Sequence, residues 1–141
     1  MTRIGLIALN AFVALTAIAS AFLVLPTMPV EWLKHGPFTD YTVPALALGI
    51  LVGGSALLGA LLLAARPSVG ALATVVAGAM IIGFEVVEIG VVGFTLIEFD
   101  ASQPQAWLQL FYLALGAMQL AFGYRLWVRL GRSPFEAGFA H

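Results

Sequence analysis

The sequence predicts an all-α bundle of four membrane-spanning helices with both termini in the cytoplasm. Three observations carry that expectation. First, 62% of the 141 residues are hydrophobic and only 9% are charged, whereas a soluble domain is about 25% charged. So few polar side chains do not cover a water-facing surface. Second, the apolar residues fall into four runs, each near the length of about 20 residues that a spanning helix needs. Third, the arginines collect at one set of run ends, the pattern of cytoplasmic loops in multi-pass proteins.

Composition also excludes several function classes. The net charge of −1 gives no basic field to attract nucleic acid. There is no cysteine, which removes disulfides, thiol redox chemistry, iron–sulfur clusters and cysteine-based zinc sites. The length suits one transmembrane domain, residues 1–128, with a cytoplasmic tail over 129–141 and no soluble module.

The first span is Ile4 to Leu25. Arg3, the apolar run and Ala17-Ile18-Ala19 also resemble a secretory signal with a small-residue cleavage site. The run is longer than a typical signal core, so it reads as an uncleaved helix. Asn10, Thr16 and Ser20 are its polar members and are expected to bond to backbone or to neighbouring helices.

Pro26 and Pro29 end that helix. Residues 26–42 form the longest connection, placed outside. Within it, Val30 to His35 reads as a short amphipathic turn lying on the membrane, with Trp32, Phe38 and Tyr41 as interfacial residue types. Asp40, Tyr41 and Thr42 precede Pro44, which suits the first turn of a new helix.

The second span is Val43 to Ala64. Its Gly49 and Gly53 stand in G-x-x-x-G spacing, with Ser55 and Gly59 beyond. Such a face lets helix backbones approach closely, within the chain or with a second copy. Ala65 to Ser68 is a tight turn, with Ser68 placed to cap the next helix.

The third span, Val69 to Phe94, carries two carboxylates, Glu85 and Glu88. A charge at the centre of a span costs about 3 kcal/mol on insertion scales, so the pair needs a local explanation. Spaced by three, they are expected to share a helix face. Steps of three and four back from Glu85 give Ile81, Gly78 and Thr74, the small-residue side; Val86 and Val87 fall on the lipid side. At 1.5 Å per residue Glu85 stands roughly 24 Å above Val69, in the outer leaflet.

A loop with Glu98, Asp100, Ser102 and Pro104 leads to the fourth span, Trp107 to Val128. Gln105, Gln109, Tyr112, Gly116, Gln119 and Gly123 form one polar or small stripe along it, the pattern of a buried bundle seam. Arg125, Arg129 and Arg132 mark its inner end, as Arg3 and Arg66 do for the other spans.

This geometry predicts a polar constellation of Glu85, Glu88, Gln109 and Tyr112 in the outer half, beneath His35, Asp40 and Tyr41. Three readings compete. The carboxylates are structural, neutral or hydrogen-bonded to Gln109, Tyr112 and loop amides. Or they form a pocket for a lipid headgroup, a small cation or a hydrophobic ligand. Or one of them is a general acid or base, with no nucleophile–base pair in evidence to support it. No metal site is expected. Glu85, Glu88 and His35 have no diagnostic spacing, and the Glu-x-x-His pairs of di-iron bundles are missing. No cofactor is expected either: no His or Met is placed as a haem ligand, and phosphate loops and catalytic-serine elbows are absent.

The stretch Gly36-Pro37-Phe38-Thr39-Asp40-Tyr41-Thr42-Val43-Pro44 resembles a group of small, uncharacterised bacterial four-helix membrane proteins with a Gly-or-Ser-Pro-Phe-x-Asp-Tyr-x-x-Pro motif between helices one and two. The resemblance continues at Glu88, Gly93-Phe94, Leu108 to Tyr112 and Gly116. The group is distantly similar to DoxX-like proteins. The resemblance implies a multi-pass protein of the bacterial inner membrane and brings no established activity.

Two functions remain in view. One is an accessory or structural subunit of a membrane complex, or a self-associating bundle, packing through Gly49, Gly53, Gly116 and Gly123 against partner chains or copies. The alternative is a ligand- or lipid-handling carrier or enzyme using a pocket around Glu85 and Glu88. The balance points away from an enzyme.

Overall fold

The computed structural model describes residues 1–33, 36–92 and 104–131. All regular structure among them is helical. Three helices are long and apolar enough to cross a membrane: α1 (Arg3–Thr27), α2 (Thr42–Ala65) and α3, whose apolar stretch is Pro67–Gly90. α3 continues to Val92, and a further long helix, α4 (Pro104–Gly131), completes the bundle. Residues 93–103 and 132–141, together with Lys34 and His35, lie outside the described residues. The expectations for Glu98, Asp100, Ser102, Arg132, the tail and His35 fall there.

Each helix has an identifiable start. Thr2 caps α1: its hydroxyl oxygen accepts the Gly5 N–H at 3.2 Å, covering a donor that the first turn leaves unpaired. At α2 the Asp40 carboxylate accepts the Thr42 N–H at 2.9 Å, and the Ala45 N–H donates to the Tyr41 carbonyl at 2.8 Å. The bond from the Thr42 N–H holds the Asp40 carboxyl below its ordinary range. α3 starts two residues earlier than a Ser68 cap requires. Pro67 is its first residue, after Arg66 at φ −138° and ψ 88°. Proline's fixed φ and missing N–H suit the first helical position, so Ser68 falls inside the first turn.

The arginine at the chain start has a structural role that charge asymmetry did not reveal. Arg3 Nε donates to the Leu63 carbonyl at 2.7 Å, and its Nη2 donates to the Ala64 carbonyl. These are unpaired acceptors at the C-terminal end of α2, where a cation is favoured. The first turn of α1 is thereby tied to the last turn of α2.

α1 and α2 are not uniform α-helices. Ser20–Val24 of α1 and Ala47–Gly54 of α2 are π-helical; the Leu25 N–H, for instance, donates to the Ser20 carbonyl five residues back. The two π segments pack on each other. A Cβ at Gly49 would lie 3.2 Å from the Ala21 Cβ, and one at Gly53 would lie 2.7 Å from the Ile18 Cγ1. The G-x-x-x-G face is thus spent on contact within the chain.

α3 makes its most extensive contact with α4. The two run antiparallel through small residues. A Cβ at Gly78 would lie 2.7 Å from the Gly116 carbonyl oxygen and 2.8 Å from the Leu120 nitrogen. Gly123 similarly faces the Ala71 carbonyl and Thr74. On α3, Thr74, Gly78, Ile81 and Glu85 are buried, while Val86 and Val87 are 60% and 58% exposed.

Candidate functional site

The bundle has two ends. One holds the 65–67 turn and every described Lys or Arg: Arg3, Arg66, Arg125 and Arg129. The other holds the 26–42 connection and the carboxylates of α3. Polar side chains gather at two levels between them.

Nearer the turn, one residue from each helix meets. The Asn10 amide (α1) donates to the Leu6 carbonyl at 2.8 Å and to the Thr74 hydroxyl (α3) at 3.1 Å. Thr74 in turn donates to the Gly70 carbonyl at 2.8 Å. The Gln119 amide (α4) donates to Asn10 Oδ1 at 3.1 Å. Gly59 supplies the α2 side, since a Cβ there would stand 2.7 Å from Asn10 Oδ1. Asn10, Thr74 and Gln119 are fully buried. The sequence placed Gln119 on the α4 stripe and expected Asn10 to bond to backbone or to a neighbouring helix, and it does both. The sequence held no sign that residues 109 positions apart would pair.

At the loop end the two carboxylates part. Glu85 is 3% exposed and lies in the α3–α4 seam, with its Oε2 lacking a partner. Gln109 is also buried, and its Nε2 is likewise unpaired. Continuing the Gly78–Gly116 register seven residues toward the loop brings Gln109 level with Glu85. Tyr112 packs edge-on against Phe111, centroids 5.8 Å apart, and Phe111 reaches Phe12 of α1 at 6.2 Å.

Glu88 instead turns toward α1 and α2. It lines a cavity of about 100 Å³. Leu25 ends α1 there, Leu33 comes from the 3-10 turn Val30–Leu33, and Phe38 from the connection. Val43, Pro44 and Ala47 of α2 close one side, Phe84 and Val87 of α3 another. Tyr41 completes the wall, its hydroxyl donating to the Pro29 carbonyl at 3.0 Å across the connection. Leu25 directly follows one π segment and Ala47 opens the other; such wide turns recur at functional sites.

The lining is apolar except for Glu88 and the Tyr41 hydroxyl. The phenol of Tyr41 is pushed above its ordinary range first by burial, then by Glu88, then by Glu31. Both carboxylates therefore act on the cavity wall. Of the residues singled out in the sequence, Glu88 and Tyr41 come together here. Glu85, Gln109 and Tyr112 do not line the cavity, and the Asp40 side chain is exposed, occupied with its turn. Gly116 and Gly123 lie in the α3–α4 seam. Among the described residues no group of three His, Asp or Glu is placed to hold a metal ion.

No family model matches the chain, and neither a curated protein nor a solved structure is significantly similar to it.

Proposed function

We propose that the protein is a multi-pass protein of a bacterial inner membrane, with α4 as its fourth span and both termini cytoplasmic, and that it holds a hydrophobic or amphiphilic ligand in the loop-end cavity. The topology rests on Arg3, Arg66, Arg125 and Arg129 at one end. The same proposal keeps the kinship with small four-helix, DoxX-like proteins drawn from residues 36–44. The observation that carries the ligand reading is the cavity itself: a partly open apolar pocket lined by a single acidic residue, with Leu33, Phe38 and Tyr41 of the connection over it. Pockets that bind small molecules are mostly apolar with a few placed polar groups.

A second reading, an accessory subunit or self-associating bundle, draws on the lipid side of α3. Gly83 and Gly90 stand seven apart with open space where a Cβ would be, and Val76, Met80 and Val87 are exposed on the same side. Small residues so placed permit close helix approach in a membrane.

Native mass spectrometry of gently extracted protein separates the two. The ligand reading expects a defined small mass on the particle, lost in Ala47→Leu, which fills the cavity, with the assembly unchanged. A mass that persists in Ala47→Leu, or a bare wild-type particle, overturns it. A heavier particle with other chains and no small mass establishes the second reading.

A further inference from the structure

The cavity's one carboxylate also specifies the head of what it holds. Resting on the ligand reading above, we infer that the occupant is a single-chain alkylammonium: an apolar chain seated against Leu25, Leu33, Phe38 and Phe84, with a protonated amine on Glu88.

Size sets the chain. A cavity of roughly 150 Å³ takes up one benzene. The about 100 Å³ here accommodates the first few carbons of one alkyl chain, whose remainder leaves by the pocket's open side, and excludes a two-chain lipid from full entry. Charge sets the head. The 26–42 connection carries Glu31 and Asp40 against Lys34, and Glu88 adds a third carboxylate in the cavity wall. The described cations all stand at the opposite end of the bundle. Glu88 and Glu31 both act on Tyr41, so the field at the wall is negative. An anionic head meets repulsion. A neutral hydroxyl finds an acceptor but gains no charge pairing. An ammonium gains both, in surroundings where apolar walls strengthen the pairing, and the ring faces of Phe38, Tyr41 and Phe84 add cation–π attraction.

The test uses the full chain in phosphatidylcholine nanodiscs, with binding of decylamine, decanol and decanoate counted by native mass spectrometry at neutral pH. Decylamine is expected to bind about tenfold more tightly than decanol, a difference of about 1.4 kcal/mol, with decanoate weakest. In Glu88→Gln, decylamine falls to the level of decanol while decanol is unchanged, which also shows that the variant is folded. Glu31→Gln reproduces part of the loss. Equal binding of decylamine and decanol to wild type overturns the head assignment and leaves the cavity reading standing. Binding of no probe overturns both. Lyso-phosphatidylethanolamine displacing decylamine makes a membrane lipid the source of the ammonium; its failure to do so makes a free amine the source.

Discussion

The two polar levels of the bundle are built from similar side chains and end in opposite states. Nearer the turn, Asn10 uses its amide twice and its carbonyl once, and Thr74 both donates and accepts. Only Gln119 Oε1 is left without a partner. Toward the loop, Glu85 Oε2 and Gln109 Nε2 are buried and unpaired, and Glu88 borders an apolar cavity. A buried network with all but one of its polar atoms paired fixes one packing of the helices it joins. Polar groups left over in a seam do not, and carrying them lowers stability. The turn end therefore reads as the part that holds the bundle together, and the loop end as the part with capacity to bind.

The largest expected effect lies at the turn end. Asn10→Ala removes the acceptor of the Gln119 amide and the donor to Thr74. It leaves Gln119 unpaired at both ends. Interhelical hydrogen bonds in membranes average about 0.6 kcal/mol and reach about 1.7, and a stranded buried donor adds about 1. A loss of about 2 kcal/mol is expected in reversible unfolding in mixed micelles. A change below about 0.5 kcal/mol would remove the structural role of this level and, with it, the contrast.

The same measurement on Glu85→Leu is expected to give the opposite sign. The substitution deletes a buried oxygen that has no partner and keeps an apolar side chain in the seam. Stability should be unchanged or higher by up to about 1 kcal/mol. Because Glu85 does not line the cavity, any bound small mass should be retained. Destabilisation by more than about 1 kcal/mol would show that the carboxyl is paired in the folded protein, and the two levels would then differ in degree only.

The faces of the helices were readable from spacing; the meetings between helices were not. Glu85, Ile81, Gly78 and Thr74 recur at helical intervals and are buried together, because in a membrane small residues mark the packed side. The same logic places Gly116, Gln119 and Gly123 in the seam. Three other features depend on partners that periodicity does not specify: the pairing of Asn10 with Gln119, the capping of α2 by Arg3, and the matched π segments of α1 and α2. The separation of the two carboxylates is subtler. Residues three apart on a helix point about 60° from each other. In a bundle that angle is enough to aim Glu85 into the α3–α4 seam and Glu88 toward α1 and α2.

The smallest effect tests whether the cavity wall carries the negative field that sets it apart from the turn end. Tyr41 is 9% exposed, and its phenol titrates above the ordinary value of 10.0, chiefly through burial, then through Glu88 and Glu31. A raised folded value means that this group's contribution to stability is complete below the unfolded value and is lost as pH rises through the folded one. The phenolate cannot donate to the Pro29 carbonyl, so the connection should loosen over that alkaline window. The phenolate absorbance of wild type minus that of Tyr41→Phe should therefore rise at higher pH than for free tyrosine. In Glu88→Gln it should move partway back, because burial remains. Tyr41→Phe itself should cost about 1 kcal/mol, read as faster amide exchange confined to residues 26–42. If the midpoint is ordinary in wild type and unmoved in Glu88→Gln, the wall is wet and Glu88 lies in water, leaving the loop end no more suited to a ligand than the rest of the surface.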